Sequence, residues 1–190
     1  VLKGWGVCME RGDALALVNK HVKNDKLVKH MLAVEAIMRA LARRFGEDED
    51  LWGLVGLLHD LDYEYTKDNM SIHGLKSAEM LEGLLPDEAL DAIRAHNELT
   101  GYKADSKLAK ALKAADQISG LIVATALVMP NKSLSEVKVK SLKKKFKQKD
   151  FARGCSRERI LFCEKLGMEK EKFFEIALEA LKGIASELGL

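Results

Sequence analysis

The sequence predicts an all-α protein, a single compact multi-helix bundle, and three observations support this. Only two prolines, Pro86 and Pro130, interrupt the 190 residues, and proline breaks helices more strongly than any other residue. Between and around them, apolar residues recur at three-to-four spacing rather than in strict alternation, which is typical of amphipathic helices. The hydrophobic fraction of 47% is enough for one real core, so residues 1–190 are predicted to form one domain.

The N-terminal helices are predicted from residues that favour helix starts. Asp13 can cap a first short helix, and Asn24 or Asp25 can cap a long second one that ends before Gly46. The acidic run at 47–50 favours the start of a third helix through the helix dipole. The segment that follows, LWGLVGLLHDLD, is apolar almost all round, so this helix should be central.

Three further helices are predicted in the middle of the chain. Ser71 should start a helix that carries IHGLKSAEMLEGLL, and Pro86 should open the next one, which ends before the TGY break at 100–102. Asp105 can cap a long apolar helix that stops before Pro130.

The remaining chain, 131–190, is predicted to form a helical cap packed on this core. It should contain a Lys-rich helix near 134–147, a turn at RGCS, a helix near 156–166 and an amphipathic helix near 169–188.

Composition excludes several classes of protein. The 31 basic and 29 acidic residues balance, so the net charge predicts no attraction to nucleic acid or to a membrane. No apolar run reaches about 18 residues, and the N-terminal segment lacks a cleavage-type ending. Cys8, Cys155 and Cys163 form no CxxC pair, which argues against a disulfide framework. We expect an untargeted cytoplasmic protein, and a homodimer remains open.

Histidines and aspartates in apolar surroundings are the residues that point to chemistry. Imidazole and carboxylate groups suit Fe, Mn, Zn, Ni or Co, and a helical bundle brings side chains from separate helices to one ion. Six such residues, called the His/Asp set below, fall on five successive predicted helices: His30, His59, Asp60, His73, His96 and Asp116. They predict a centre for one or two divalent transition metal ions.

The order of these residues resembles a known family. His30, the doublet His59-Asp60 after GLL, and then Asp116 are similar to the pattern of the HD-domain metal-dependent phosphohydrolases, over about residues 25–120. The resemblance implies an HD-type bundle whose metal-binding core is 25–120. It also implies hydrolysis of a phosphate ester, of a nucleotide or another small phosphorylated metabolite, by a metal-activated water.

The histidines between the doublet and the last aspartate extend the resemblance. His73 and His96 occupy this interval, as in the members of the family that hold two metals. The resemblance then implies a first metal on His30, His59 and Asp116, a second on His73 and His96, and Asp60 as the bridge.

The residues after the doublet depart from the family pattern. Many members continue with IGK or IAK, whereas this chain has LDY and lacks that lysine. Asp60, Asp62 and Glu64 are candidate catalytic residues, because the last two could orient ligand histidines or activate water. The alternative is that Asp62 and Glu64 are capping and turn residues.

A basic run offers a replacement for the missing lysine. Seven lysines lie between 138 and 149 without an acid, which is usually a solvated helix face. The alternative is an anion site, in which Lys145, Arg153 and Arg157 would bind the phosphate of the substrate.

Two other functions fit the same residues. The two-metal ligand pattern also resembles HD-fold oxygenases that use a pair of irons. A third possibility is a signalling module that binds a nucleotide without turnover.

Overall fold

Helices make up the regular structure of residues 9–190, the part of the chain that the computed structural model describes, and no strand occurs there. Cys8 lies outside it. In chain order the helices are α1 (Arg11–His21), α2 (Asp25–Phe45), α3 (Glu49–Leu58), α4 (Tyr63–Thr66), α5 (Leu75–Met80), α6 (Asp87–Ala95), α7 (Lys107–Leu127), α8 (Val139–Lys147), α9 (Arg157–Ile160), α10 (Phe162–Lys165), α11 (Lys170–Lys182) and α12 (Ala185–Leu188). The prediction of an all-α fold is confirmed.

Helix caps were predicted well for α2 and less well for α1 and α7. The Asn24 side chain accepts the Lys26 N–H, as an N-cap should. The predicted cap Asp13 was wrong, because it lies three residues inside α1 and its carboxylate accepts the N–H of the actual N-cap, Glu10. The predicted cap Asp105 was also wrong: α7 is capped by the next residue, Ser106.

The helix predicted from Ser71 does not form as one element. Residues Met70–Ile72 make a 3₁₀ turn, and α5 begins only at Leu75. The cause is the backbone at Gly74. Its φ of +92° is positive, which glycine adopts more readily than other residues, and a residue with this φ cannot continue a helix. His73 therefore lies in a loop and not on a helix, contrary to the sequence prediction.

The helices after Pro130 are shorter than predicted. The Lys-rich helix begins at Val139, after a 3₁₀ turn at Leu134–Glu136. The predicted helix 156–166 divides at Leu161 into α9 and α10. The predicted helix 169–188 divides into α11 and α12 after Lys182, where Gly183, a residue of low helix propensity, follows. All of these helices pack against α7, α2 or one another.

Helix α3 lies in the middle of the bundle, as its apolar sequence predicted. All its residues from Trp52 to Leu58 are buried, and it packs against α1, α2, α6 and α7. Gly56 allows the backbones of α2 and α3 to approach, because a Cβ there would lie 2.9 Å from the Val34 carbonyl oxygen. This close packing sets the rings of His30 and His59 5.4 Å apart, centre to centre.

Within residues 9–190, no helix combines the length and the apolar character needed to cross a membrane.

Candidate metal centre

The structure brings the whole His/Asp set together in the interior of the bundle. The six come from five parts of the chain: His30 from α2, His59 and Asp60 from the end of α3, His73 from the loop before α5, His96 from the end of α6, and Asp116 from α7. Their roles as metal ligands stay predictions.

Asp60 lies at the centre of this group. Its Oδ1 atom is 3.3 Å from Nε2 of His59, 3.2 Å from Nε2 of His73 and 3.3 Å from Nε2 of His96. Its Oδ2 atom faces the other way and is 3.6 Å from Nε2 of His30. The two carboxylate oxygens therefore face different histidines, as a bridging carboxylate would.

Asp116 completes the side of the centre near His30. Its Oδ1 atom is 3.2 Å from Nε2 of His30 and 3.9 Å from Nε2 of His59. Its Oδ2 atom accepts the side-chain amide of Gln117 at 2.7 Å and lies 3.8 Å from the Arg159 guanidinium. One oxygen thus faces the histidines, while neighbouring donors hold the other.

The outer nitrogens of His59 and His96 are fixed by helix carbonyls. Nδ1 of His59 is 2.8 Å from the Gly56 oxygen, and Nδ1 of His96 is 2.7 Å from the Ile93 oxygen. Because a carbonyl oxygen only accepts, each Nδ1 must carry a hydrogen, and the neutral form of each ring then has its lone pair at Nε2. Both lone pairs are directed towards the centre.

Asp62 fixes His73 in the same way. Its Oδ1 atom is 2.7 Å from Nδ1 of His73, and its Oδ2 atom accepts the N–H groups of Gly74 and Ser77 at 2.8 and 2.9 Å. Asp62 is fully buried, and these hydrogen bonds hold the pKa of its carboxyl below the ordinary value despite burial. The turn at Gly74 is what aims both N–H groups at this carboxylate.

Ser119 is the neighbour of His30. Its hydroxyl donates to the Asp116 carbonyl at 2.7 Å and lies 3.3 Å from Nδ1 of His30, from which it can accept. All four histidines of the set therefore have Nδ1 engaged on the outside and Nε2 directed inwards. Such outer partners are what fixes the orientation of metal-binding histidines.

The inner atoms fit a cation better than they fit one another. Nε2 of His59 is buried and has no hydrogen-bond partner, which is rare for a buried nitrogen. Nε2 of His73 and Nε2 of His96 are 3.1 Å apart, so two neutral rings would set their lone pairs against each other, and a proton or a metal ion has to lie between them. Ligand atoms of His30, His59 and Asp116 all lie within 4.8 Å of one another, and so do those of His59, Asp60 and His96.

The pKa values of Asp60 and His73 show the same attraction for positive charge, whereas the pKa of His59 does not. Burial lowers the pKa of His59 to about 4, so this ring is neutral and can donate its lone pair. Burial also opposes charge on His73, but its bonds with Asp60 and Asp62 raise its pKa to about 9. Burial disfavours the Asp60 carboxylate too, yet the surrounding imidazoles hold its pKa well below the ordinary value.

Glu64, the other acid predicted after the doublet, is not brought into the group. Its Oε1 atom accepts the N–H groups of Lys23 and Asn24, both at 2.8 Å, where α2 begins. None of its hydrogen bonds involves the His/Asp set, so the geometry favours the capping alternative. Of the two acids, only Asp62 contacts a predicted ligand.

The basic residues predicted to bind phosphate have other contacts. The Arg157 guanidinium donates to six backbone carbonyls between Lys145 and Cys155, and so holds that segment together. Arg153 is exposed and pairs with Asp150 at 3.0 Å. Nζ of Lys145 lies 4.3 Å from the ring centre of Phe151. Their role in binding phosphate stays a prediction.

Sequence analysis missed three residues around the centre: Gln117, Ser119 and Arg159. Arg159 bonds the carbonyl oxygen of His96, and its own Nε is buried without a partner. Nothing in the sequence sets this arginine apart from its basic neighbours. Ser119 could have been found, because it follows Asp116 by three residues and so shares its helix face.

The fold and the site together define a helical protein with a candidate transition-metal centre. The sequence matches the HD domain family over residues 27–121, which is half of the chain and includes the whole His/Asp set. The chain therefore belongs to the HD-domain family, whose members are mostly metal-dependent phosphohydrolases. Searches among curated proteins and among solved structures gave no match.

Proposed function

We propose that the protein is a metal-dependent hydrolase of phosphate esters that acts on a nucleotide or another small phosphorylated metabolite. The observation that supports this most is the direction of the four histidines: each Nε2 faces the Asp60–Asp116 side, and that of His59 has no other partner. One or two bound divalent ions would supply a hydroxide nucleophile and neutralise charge on the phosphate oxygens.

The residues would divide between the ions as the family resemblance implies. Oδ2 of Asp60 faces His30, whereas its Oδ1 faces His59, His73 and His96. His59 lies within reach of both groups, since its ligand atom clusters with those of His30 and Asp116 and also with those of Asp60 and His96. The ions would be held by His30, His59 and Asp116 on one side and by His73 and His96 on the other, with Asp60 between them.

The protein itself contributes orientation and access. Hydrogen bonds at Nδ1 keep the four imidazoles in the tautomer that binds metal, so little reorganisation is needed. His59, His73 and His96 are buried, whereas His30 and Asp116 are half-buried. Substrate should therefore approach from the side of His30 and Asp116.

Asp62 acts as a positioning residue, because His73 and two N–H groups already occupy its oxygens.

The proposal is tested by metal analysis of the purified protein together with a screen of nucleotides and sugar phosphates. We expect stoichiometric transition metal and release of inorganic phosphate. His59→Asn should lower both, while His21→Asn, a histidine that contacts Tyr65 outside the group, is the matched control. The absence of metal, or full turnover in His59→Asn, would rule the proposal out.

Two other results would replace it by one of the alternative functions. Uptake of dioxygen by iron-loaded protein, without phosphate release, would indicate an HD-fold oxygenase. A nucleotide that stays bound and intact on metal-loaded protein would indicate a binding module.

A further inference from the structure

Helix α9 of the C-terminal cap contacts the candidate metal centre through the side chain of Arg159. The guanidinium donates through Nη2 to the carbonyl oxygen of His96, and the same nitrogen is 3.8 Å from Oδ2 of Asp116. His96 and Asp116 are predicted ligands of different ions, and they come from different helices, α6 and α7. Arg159 itself lies outside residues 27–121, the part of the chain that matches the family. The cap therefore touches both sides of the centre through one residue.

A second contact between α9 and the centre is made by Gln117. Its side-chain amide donates to Oδ2 of Asp116 at 2.7 Å, and its side-chain oxygen accepts the N–H of Ser156 at 2.7 Å. Ser156 is the N-cap of α9, and its hydroxyl accepts the N–H of Arg159. Both contacts thus start in the first turn of α9, and both end at the same oxygen of Asp116.

These contacts leave the other oxygen of Asp116 to the histidines. Oδ1 is 3.2 Å from Nε2 of His30, whereas Oδ2 has the Gln117 amide and the Arg159 guanidinium beside it. A carboxylate whose outer oxygen is held by donors cannot rotate without breaking those contacts, so its inner oxygen keeps its direction. In the same way, the bond to the His96 carbonyl fixes the backbone from which that ring extends.

The position of Arg159 lowers stability in two ways, which argues against a purely stabilising role. Its Nε is buried and has no hydrogen-bond partner within residues 9–190, and an unpaired buried N–H is unfavourable. The guanidinium also lies close enough to Lys113 that its charge adds to burial in lowering the pKa of that ammonium group. Local conflicts of this kind are expected at functional sites.

We propose that Arg159 and Gln117 are positioning residues of the metal centre, through which α9 sets the orientation of Asp116 and His96. The inference rests on the metal centre of the proposed function. It adds that metal binding by the family core depends on the C-terminal cap. Arginine suits the role, because its planar guanidinium has five donors and can contact a carbonyl and a carboxylate at once.

The charge of Arg159 and its positioning role have opposite effects on metal binding. A guanidinium repels a divalent cation, so an arginine that acted only through its charge would weaken metal binding, and its removal would strengthen it. An arginine that orients two ligands strengthens metal binding, and its removal weakens it. The direction of the change in metal affinity therefore separates the two roles.

The test measures the affinity of the full chain for Co²⁺ by calorimetry and the visible absorption spectrum of the Co²⁺-loaded protein. In Arg159→Met we expect the affinity to fall by about 10-fold to 100-fold, the range for residues that support metal ligands. The spectrum should change as well, because Asp116 and His96 reorient. Unchanged or increased affinity would overturn the proposal. The matched control is Arg44→Met, at an exposed arginine near the end of α2, and it should alter neither measurement.

Two further variants separate position from charge. Arg159→Lys keeps the positive charge, but a single ammonium group cannot reproduce both contacts, so the spectrum should stay altered. A normal spectrum and affinity in this variant would reject the proposal, also in the case that Arg159→Met does not fold. Gln117→Met removes the second contact without a change of charge, and we expect a loss of affinity of about threefold to tenfold. An unchanged affinity would overturn the role of Gln117.

The outcomes distinguish this inference from the proposed function. If the unaltered protein binds Co²⁺ in an Arg159-dependent way but hydrolyses no phosphate ester, the positioning role stands and the hydrolase is rejected. If it hydrolyses phosphate esters while metal affinity and spectrum are independent of Arg159 and Gln117, the hydrolase stands and the positioning role is rejected.

Discussion

The His/Asp set has a buried half and an open half, and the two are held in place by different means. The side chain of His59 is 0% exposed and that of His73 is 5% exposed, whereas that of His30 is 26% exposed. Backbone carbonyls or a buried carboxylate fix the rings of the buried half, while a single serine hydroxyl contacts His30. The rings of the buried half are thus held more rigidly, and the open half is the side from which we propose that substrate approaches.

Asp60 belongs to both halves, so its removal should have the largest effect. In Asp60→Asn the side chain loses its charge and presents an amide to lone pairs of histidine, while the shape stays the same. We expect loss of most bound metal and a fall in phosphatase turnover of about a thousandfold. Metal analysis and steady-state kinetics would measure this.

The matched control for Asp60 is Asp68→Asn, which makes the same change at an exposed aspartate. It should retain both metal and turnover. If Asp60→Asn kept its full metal content, Asp60 would not be a shared ligand.

Asp62 supports only the buried half, and its replacement should have the next largest effect. In Asp62→Asn the amide can no longer accept from His73 and from two N–H groups at once. We expect metal affinity to fall by about 10-fold to 100-fold, as for other partners of metal-binding histidines. In protein loaded with Co²⁺, the visible absorption spectrum should also change, because the ligand field at His73 is altered.

Glu64→Gln is the comparison for Asp62, since it makes the same change two residues away. Its carboxylate holds the N–H groups of Lys23 and Asn24, so the expected result is a loss of about 1 kcal/mol in the free energy of unfolding. The cobalt spectrum should stay the same. A shifted spectrum in Glu64→Gln, with none in Asp62→Asn, would restore Glu64 as a residue of the site.

The two halves also differ in how much of them could be predicted. The order of the histidines and aspartates along apolar helices was sufficient to select all six residues that meet in the structure. Their outer partners were harder to foresee, because the Gly56 and Ile93 carbonyls are backbone atoms that exist in every sequence. The loop at His73 was mispredicted, since Gly74 adopts its φ of +92° only in the context of Asp62 and the end of α6.

The C-terminal cap was less predictable than the core for a related reason. The charge pattern between 138 and 159 shows many cations but not which partners they have. Arg157 turned inwards to backbone carbonyls, whereas Arg159, two residues later, lies beside Asp116 and His96. Which of several arginines approaches the site depends on the packing of the short helices α9 and α10 on α7, and a single sequence does not specify it.

Ser119 supports only the open half, and its replacement should have the smallest effect. Ser119→Ala removes the hydroxyl that can accept a hydrogen bond from Nδ1 of His30. The contact is long, at 3.3 Å, and the same hydroxyl donates its hydrogen to the Asp116 carbonyl. We expect metal affinity to fall by less than about tenfold, and Ser119→Thr, which keeps the hydroxyl, should restore it. A loss as large as that in Asp62→Asn would show that His30 is as rigidly held as His73. The contrast between a rigid and an open half would then fail.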